Sequence, residues 1–103
     1  MLLTFLGKDS QGGQSPTLYA TDRGTYVVQG WRVPDDVASV EIPHGLLRYL
    51  EQGTELATTV IDTGSDTYRV TGELVTDDEA LSQLDLPSHE TCVEVGKVRK
   101  VAD

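Results

Sequence analysis

Two adjacent pairs of carboxylates, Asp35-Asp36 and Asp77-Asp78, stand forty-two residues apart in a chain of 103. Oxygen donors of this kind suit Ca²⁺ or Mg²⁺. A calcium loop, however, spaces its donors as D-x-D-x-D-G, and no such run accompanies either pair. Aspartate also caps turns and helices, and that is the expected role here. His44 and His89 lie beside prolines, Pro43 and Pro87, away from any Ser, Cys or carboxylate pattern that marks a nucleophile and its base. Cys92 is the single cysteine. A thiol–imidazole pair with His89, three residues away, would be its reactive form. In the alternating run "TCVEV" it reads instead as a small buried hydrophobe. No G-x-G-x-x-G, G-K-[ST], C-x-x-C or H-E-x-x-H is present, and "GKDSQGG" does not join a strand to a helix as a phosphate loop does. Neither an enzyme nor a bound cofactor or metal is expected.

The carboxylate pairs end two similar phrases, "TYVVQGWRVPDD" and "TYRVTGELVTDD". Aligned without gaps, Thr17–Ala38 and Thr59–Ala80 agree at 10 of 22 positions. "VEI" at Val40–Ile42 returns as "VEV" at Val93–Val95 once about eleven extra residues are allowed. This pattern predicts an internal duplication, residues 17–42 and 59–95, within one domain spanning 1–103. Two copies cannot stack as an open solenoid and should share one core.

Each copy reads as a hairpin: "TLYA" and "TYVVQGWRV" flank "TDRG", and "TVID" and "TYRVTGELV" flank "TGSD". A glycine inside each long strand, Gly30 and Gly72, is expected to mark a bulge that bends it. "LLTFL" reads as a first strand, "KDSQGGQSP" as a linker and "TCVEVGKV" as the last strand. Short helices are expected in "IPHGLLRYLEQG" and in "TDDEALSQLDLP", the second opened by a Thr76-x-x-Glu79 capping box. The predicted class is mainly β (α+β), a small curled sheet, barrel or sandwich with two short helices.

Composition bounds the function. The net charge of −9, with only eight Lys and Arg, argues against direct binding to nucleic acid, which needs cations to meet phosphate. It favours solubility and basic partners. "MLLTFLG" is too short for a signal sequence, and no run approaches a membrane span, so a cytoplasmic protein with no membrane contact is expected.

The two copies also control for one another. Trp31 aligns with Glu73, Val27 with Arg69 and Arg32 with Leu74. A position that takes a charge in one copy is seldom deep core in the other. Trp31 and Val27, with Arg32 and Tyr19, are therefore the expected partner-binding residues. Trp31 packed beneath the linker or the first helix is the competing reading.

The residues "SPTLYATDRGTYVVQGWRV…VEIPHGLLRYL…HETCVEV" resemble short acidic actinobacterial proteins that tend to be encoded beside helix-turn-helix regulators. "CVEV" is similar to a tetrapeptide in small accessory proteins of the same neighbourhood. The resemblance implies an accessory or regulatory role, antitoxin-like in kind, with no catalytic residues to carry over. The expected function is a small interaction protein that modulates a partner, a basic DNA-binding regulator or a second copy of itself. The alternative is a small-ligand binder with a pocket between the two repeats.

Overall fold

The β-branched and aromatic runs become strands. In the computed structural model, which describes residues 1–9 and 16–100, the order is β1 (Leu3–Lys8), β2 (Thr17–Thr21), β3 (Thr25–Val33), β4 (Asp36–Pro43), a 3-10 turn (His44–Tyr49), β5 (Thr54–Leu56), β6 (Val60–Asp62), β7 (Thr67–Thr71), β8 (Glu73–Leu74), helix α1 (Asp78–Ser82) and β9 (Glu90–Arg99). The fold is mainly β, and every pairing among these strands is antiparallel. Residues 10–15 of the expected linker lie outside the described residues.

The sheet runs β1-β2-β3-β4-β7-β6, and β9 pairs with β3, β5 and β8. It curls strongly: from β3 the pairings pass through β4 to β7, across Gly72 to β8, then to β9 and back to β3. The two similar phrases hold the same register against each other's final strand. Tyr26, Val27 and Val28 oppose Val95, Glu94 and Val93. Tyr68, Arg69 and Val70 oppose Ile42, Glu41 and Val40. Side chains repeat the pattern: Thr25 Oγ1 donates to Glu94 Oε2 at 2.6 Å, and Thr67 Oγ1 to Glu41 Oε2 at 2.8 Å.

Period-two alternation then sorts the faces. Tyr26 and Val28 point inward with Leu18, Val40, Ile42, Val70, Val93 and Val95, joined by Leu46 from the 3-10 turn and Leu56 from β5. Each such aliphatic burial contributes roughly 1.5–3 kcal/mol. The outer face carries a second cluster, where Val27 and Cys92 meet Val75 and Ala80, flanked by Tyr19, Leu81, Leu84 and Leu86. The segment around α1 thus lies over the outside of β3 and β9.

Three local expectations change. No register shift occurs at Gly30; the irregularity in β3 falls between Arg32 and Val33. Gly30 is needed because a Cβ there would lie 2.6 Å from the Glu41 carbonyl oxygen. The first expected helix is present, as a six-residue 3-10 helix rather than an α-helix, with no side-chain cap and no acidic residue in its first turn, and Gly45 weakens an α-helical nucleus further. The cap of α1 is Asp77, whose Oδ2 accepts from the Ala80 N–H at 2.9 Å, one residue beyond the expected Thr76.

Candidate functional site

Val27 is fully buried, which corrects its assignment as a surface anchor. Its counterpart Arg69 is partly exposed, belongs to neither apolar cluster and pairs with Asp36 at 3.0 Å. The α1 segment folds onto β3, so the two aligned positions meet different surroundings. Tyr19 opposes Val27 across the β2–β3 ladder, is partly buried, and stacks edge-on against the exposed Phe5 at 6.3 Å between centroids. Burial raises its phenol pKa above the usual value.

Trp31 and Arg32 fall at the far end of β3. Trp31 is partly buried yet belongs to neither apolar cluster. Its backbone is in register with Glu41 on one side and Glu90 on the other. Arg32 is exposed; its Nε donates to the Ser88 carbonyl at 2.8 Å and its backbone N–H to the His89 carbonyl at 3.0 Å. The hairpin it begins continues to Val37, which is 73 % exposed. Val37 escaped the sequence reading, although alternation from the inward Val40 and Ile42 turns it outward.

Beside this strand end lies a pocket of about 300 Å³ bounded by Lys8 of β1, Thr17 and Tyr19 of β2, Gln29 of β3, and Asp85, Pro87 and His89 of the segment before β9. Gln29 follows Val27 on the outer face and is 2 % exposed. Its Nε2 donates to Glu90 Oε1 at 2.8 Å and to the Asp85 carbonyl at 3.1 Å. The Asp85 backbone carbonyl can only accept, which assigns Nε2 to that side of the amide and turns Oε1 away from it. That Oε1 is buried and has no hydrogen-bond partner among the described residues. Glu90 is fully buried, with Oε2 at 3.4 Å from His89 Nε2. Gln29 and Glu90 were also missed. Their signal was present: each is polar at a position that alternation places on the same face as the apolar Val27 and Cys92. A larger pocket, about 520 Å³, opens beside Leu50, Thr54 and Leu56. Its acidic and basic residues, Glu51, Glu55 and Lys100, are exposed, and no buried unpartnered polar group lines it.

The residues first considered for chemistry have other duties. Asp36 accepts from Ser39 Oγ at 2.8 Å, the Ala38 N–H at 3.0 Å and an Arg69 guanidinium nitrogen at 3.0 Å, and these bonds hold its carboxyl below the usual range. The Ala80 N–H likewise lowers Asp77. Cys92 is 1 % exposed, and burial pushes its thiol up to about 11, the reverse of an activated nucleophile. His44 lies against the Tyr68 ring at 4.1 Å and 3.4 Å from Asp62. Among the described residues no cluster of three or more His, Cys, Asp or Glu could hold a metal ion, and no helix is long and apolar enough to cross a membrane. Compared with family models, curated proteins and solved structures, the chain matches none.

Proposed function

We propose that the protein is an acidic accessory module that attaches to a basic partner protein, of the DNA-binding regulator class, through the β3–β4 hairpin end. The observation that supports this most is Trp31: a tryptophan partly open to solvent and outside both apolar clusters. Tryptophan and arginine are the side chains that most often dominate protein contacts, and Arg32 and the exposed Val37 belong to the same hairpin. The charge of −9 steers the encounter towards a cationic surface and away from nucleic acid. Val27 takes no part, being internal. Tyr19 is kept for the adjoining face with Phe5.

The test is capture of partners from native lysate by the wild type and by Trp31→Ala, with sizing chromatography at several concentrations. The reading expects a helix-turn-helix regulator that the wild type retains and the variant loses. A regulator held equally by both would remove Trp31 as the anchor. Concentration-dependent dimerisation lost in Trp31→Ala would assign the surface to a second copy of the chain instead.

A further inference from the structure

We propose that Glu41 and Trp31 together receive an arginine side chain of the partner protein, its guanidinium pairing with Glu41 Oε1 beside the indole. The inference rests on the partner contact at Trp31 argued above and names the group that the contact takes. What carries it is a second copy of the same arrangement, already completed within the chain. In the first hairpin turn Thr21 Oγ1 lies 2.6 Å from Thr25 Oγ1 and accepts from the Arg23 N–H at 3.1 Å. In the second, Thr63 Oγ1 lies 2.5 Å from Thr67 Oγ1 and accepts from the Ser65 N–H at 3.3 Å. The closing threonine of each turn then donates to Oε2 of a glutamate, Thr25 to Glu94 and Thr67 to Glu41. The first of these carboxylates is completed by a cation: an Arg23 guanidinium nitrogen lies 3.5 Å from Glu94 Oε1. At the second turn Ser65 stands where Arg23 stands, and Glu41 forms no ion pair among the described residues. Arg69, in register with Glu41, is directed instead to Asp36 Oδ2 at 3.0 Å.

The residue opposed to each glutamate also differs. Glu73 is in register with Glu94, and Trp31 with Glu41; directly opposed residues share a face and lie within side-chain reach. A half-buried carboxylate thus stands next to a tryptophan partly open to solvent. A guanidinium suits both neighbours at once, through charge-assisted hydrogen bonds to the one and stacking on the other. An ammonium is a compact point charge and lacks the planar surface that stacks. The overall charge of −9 favours the approach of such a basic side chain.

Trp31 is the single tryptophan, so its fluorescence reports on the site directly. The probe is a short glycine peptide amide carrying two arginines, and the control is the same peptide with citrulline, neutral and of the same shape, at equal ionic strength. The arginine peptide should change the fluorescence along a saturating curve, and the citrulline peptide should not. Glu41→Gln should weaken the arginine peptide by roughly fivefold, the order of one ion pair at a partly open site. Ser65→Arg, which places the chain's own guanidinium where Arg23 stands beside Glu94, should weaken it likewise. Glu55→Gln removes the same charge at the other end of β9 and should leave binding unchanged. If Glu41→Gln fails to fold, Ser65→Arg, at an exposed turn position, decides. Absence of saturation, equal signals from both peptides, or equal weakening by Glu55→Gln overturns the proposal. So does binding indifferent to Glu41→Gln and Ser65→Arg, and binding seen only in Arg69→Ala would make Arg69 the occupant. A regulator captured through Trp31 by a chain that ignores the peptide would leave the partner contact standing and remove the arginine from it. Peptide bound through Glu41 with no regulator captured would uphold the arginine site and remove the regulator.

Discussion

Gly30 and Gly72 mark the same backbone crossing made twice. A Cβ on Gly30 would lie 2.6 Å from the carbonyl oxygen of Glu41, and a Cβ on Gly72 would lie 2.5 Å from that of Glu94. The next contacts also correspond, Ile42 Cγ2 at 2.8 Å and Val95 Cγ2 at 2.9 Å. At each site the chain passes hard against a later strand, β4 at Gly30 and β9 at Gly72, and the nearest obstacle is main chain, which cannot rotate aside.

Gly30→Ala and Gly72→Ala should therefore each destabilise the fold by about 1–3 kcal/mol, the usual cost of overpacking. Urea denaturation of the two variants provides the measurement. A neutral effect at both would show that the crossing relaxes easily.

Exchanging aligned residues separates the two outer faces. Val27→Arg, which installs the residue found at 69, places an unpaired charge in the cluster with Cys92, Val75 and Ala80. A loss of about 3 kcal/mol or more is expected, since burying an unpaired charge is among the most damaging single changes. At position 31, whose counterpart at 73 is polar, Trp31→Gln, which avoids setting a third carboxyl between Glu41 and Glu90, should stay within roughly 1 kcal/mol because Trp31 is in neither cluster. Thermal unfolding of both variants decides; equal losses would place Trp31 in the interior.

Acid should destabilise the protein through identifiable carboxylates. The folded-state pKa values of Asp36 and Asp77 are lowered from 3.8, Asp36 chiefly by Ser39 and Asp77 chiefly by the Ala80 N–H. A depressed carboxylate contributes stability that is complete above its unfolded pKa and disappears as pH falls through the folded value. The melting temperature should thus begin to fall below about pH 4. Asp36→Asn should lower stability at neutral pH while flattening that acid slope. A variant with the same slope as the wild type would rule out Asp36 as a source.

The Cys92 thiol, raised to about 11 by burial, should be unreactive in the native state near pH 8, where almost none is ionised. Titration with a chromogenic disulfide reagent should show negligible reaction until denaturant is added, then one thiol per chain. Rapid native labelling would show that the α1 segment opens readily.

The alternating β-branched and aromatic runs by themselves placed β1, β2, β3, β6, β7 and β9, because period two is a property of neighbouring residues and needs no knowledge of the partner strand. The hairpin turns were equally local: Gly24 and Asp66, aligned at the same offset of forty-two, both take the positive φ that the turns require, +72° and +64°. Which side of β3 would be covered was not local. Val27 and Arg69 occupy matching registers, and only the return of residues 76–89 over β3 and β9 made one interior and left the other partly exposed. The pocket depends on the same return. Gln29 and Glu90 are sixty-one residues apart, and the hydrogen bond between their side chains exists only once β3 and β9 lie side by side. Alternation assigns a residue to a face, whereas the burial of that face depends on chain that arrives from elsewhere.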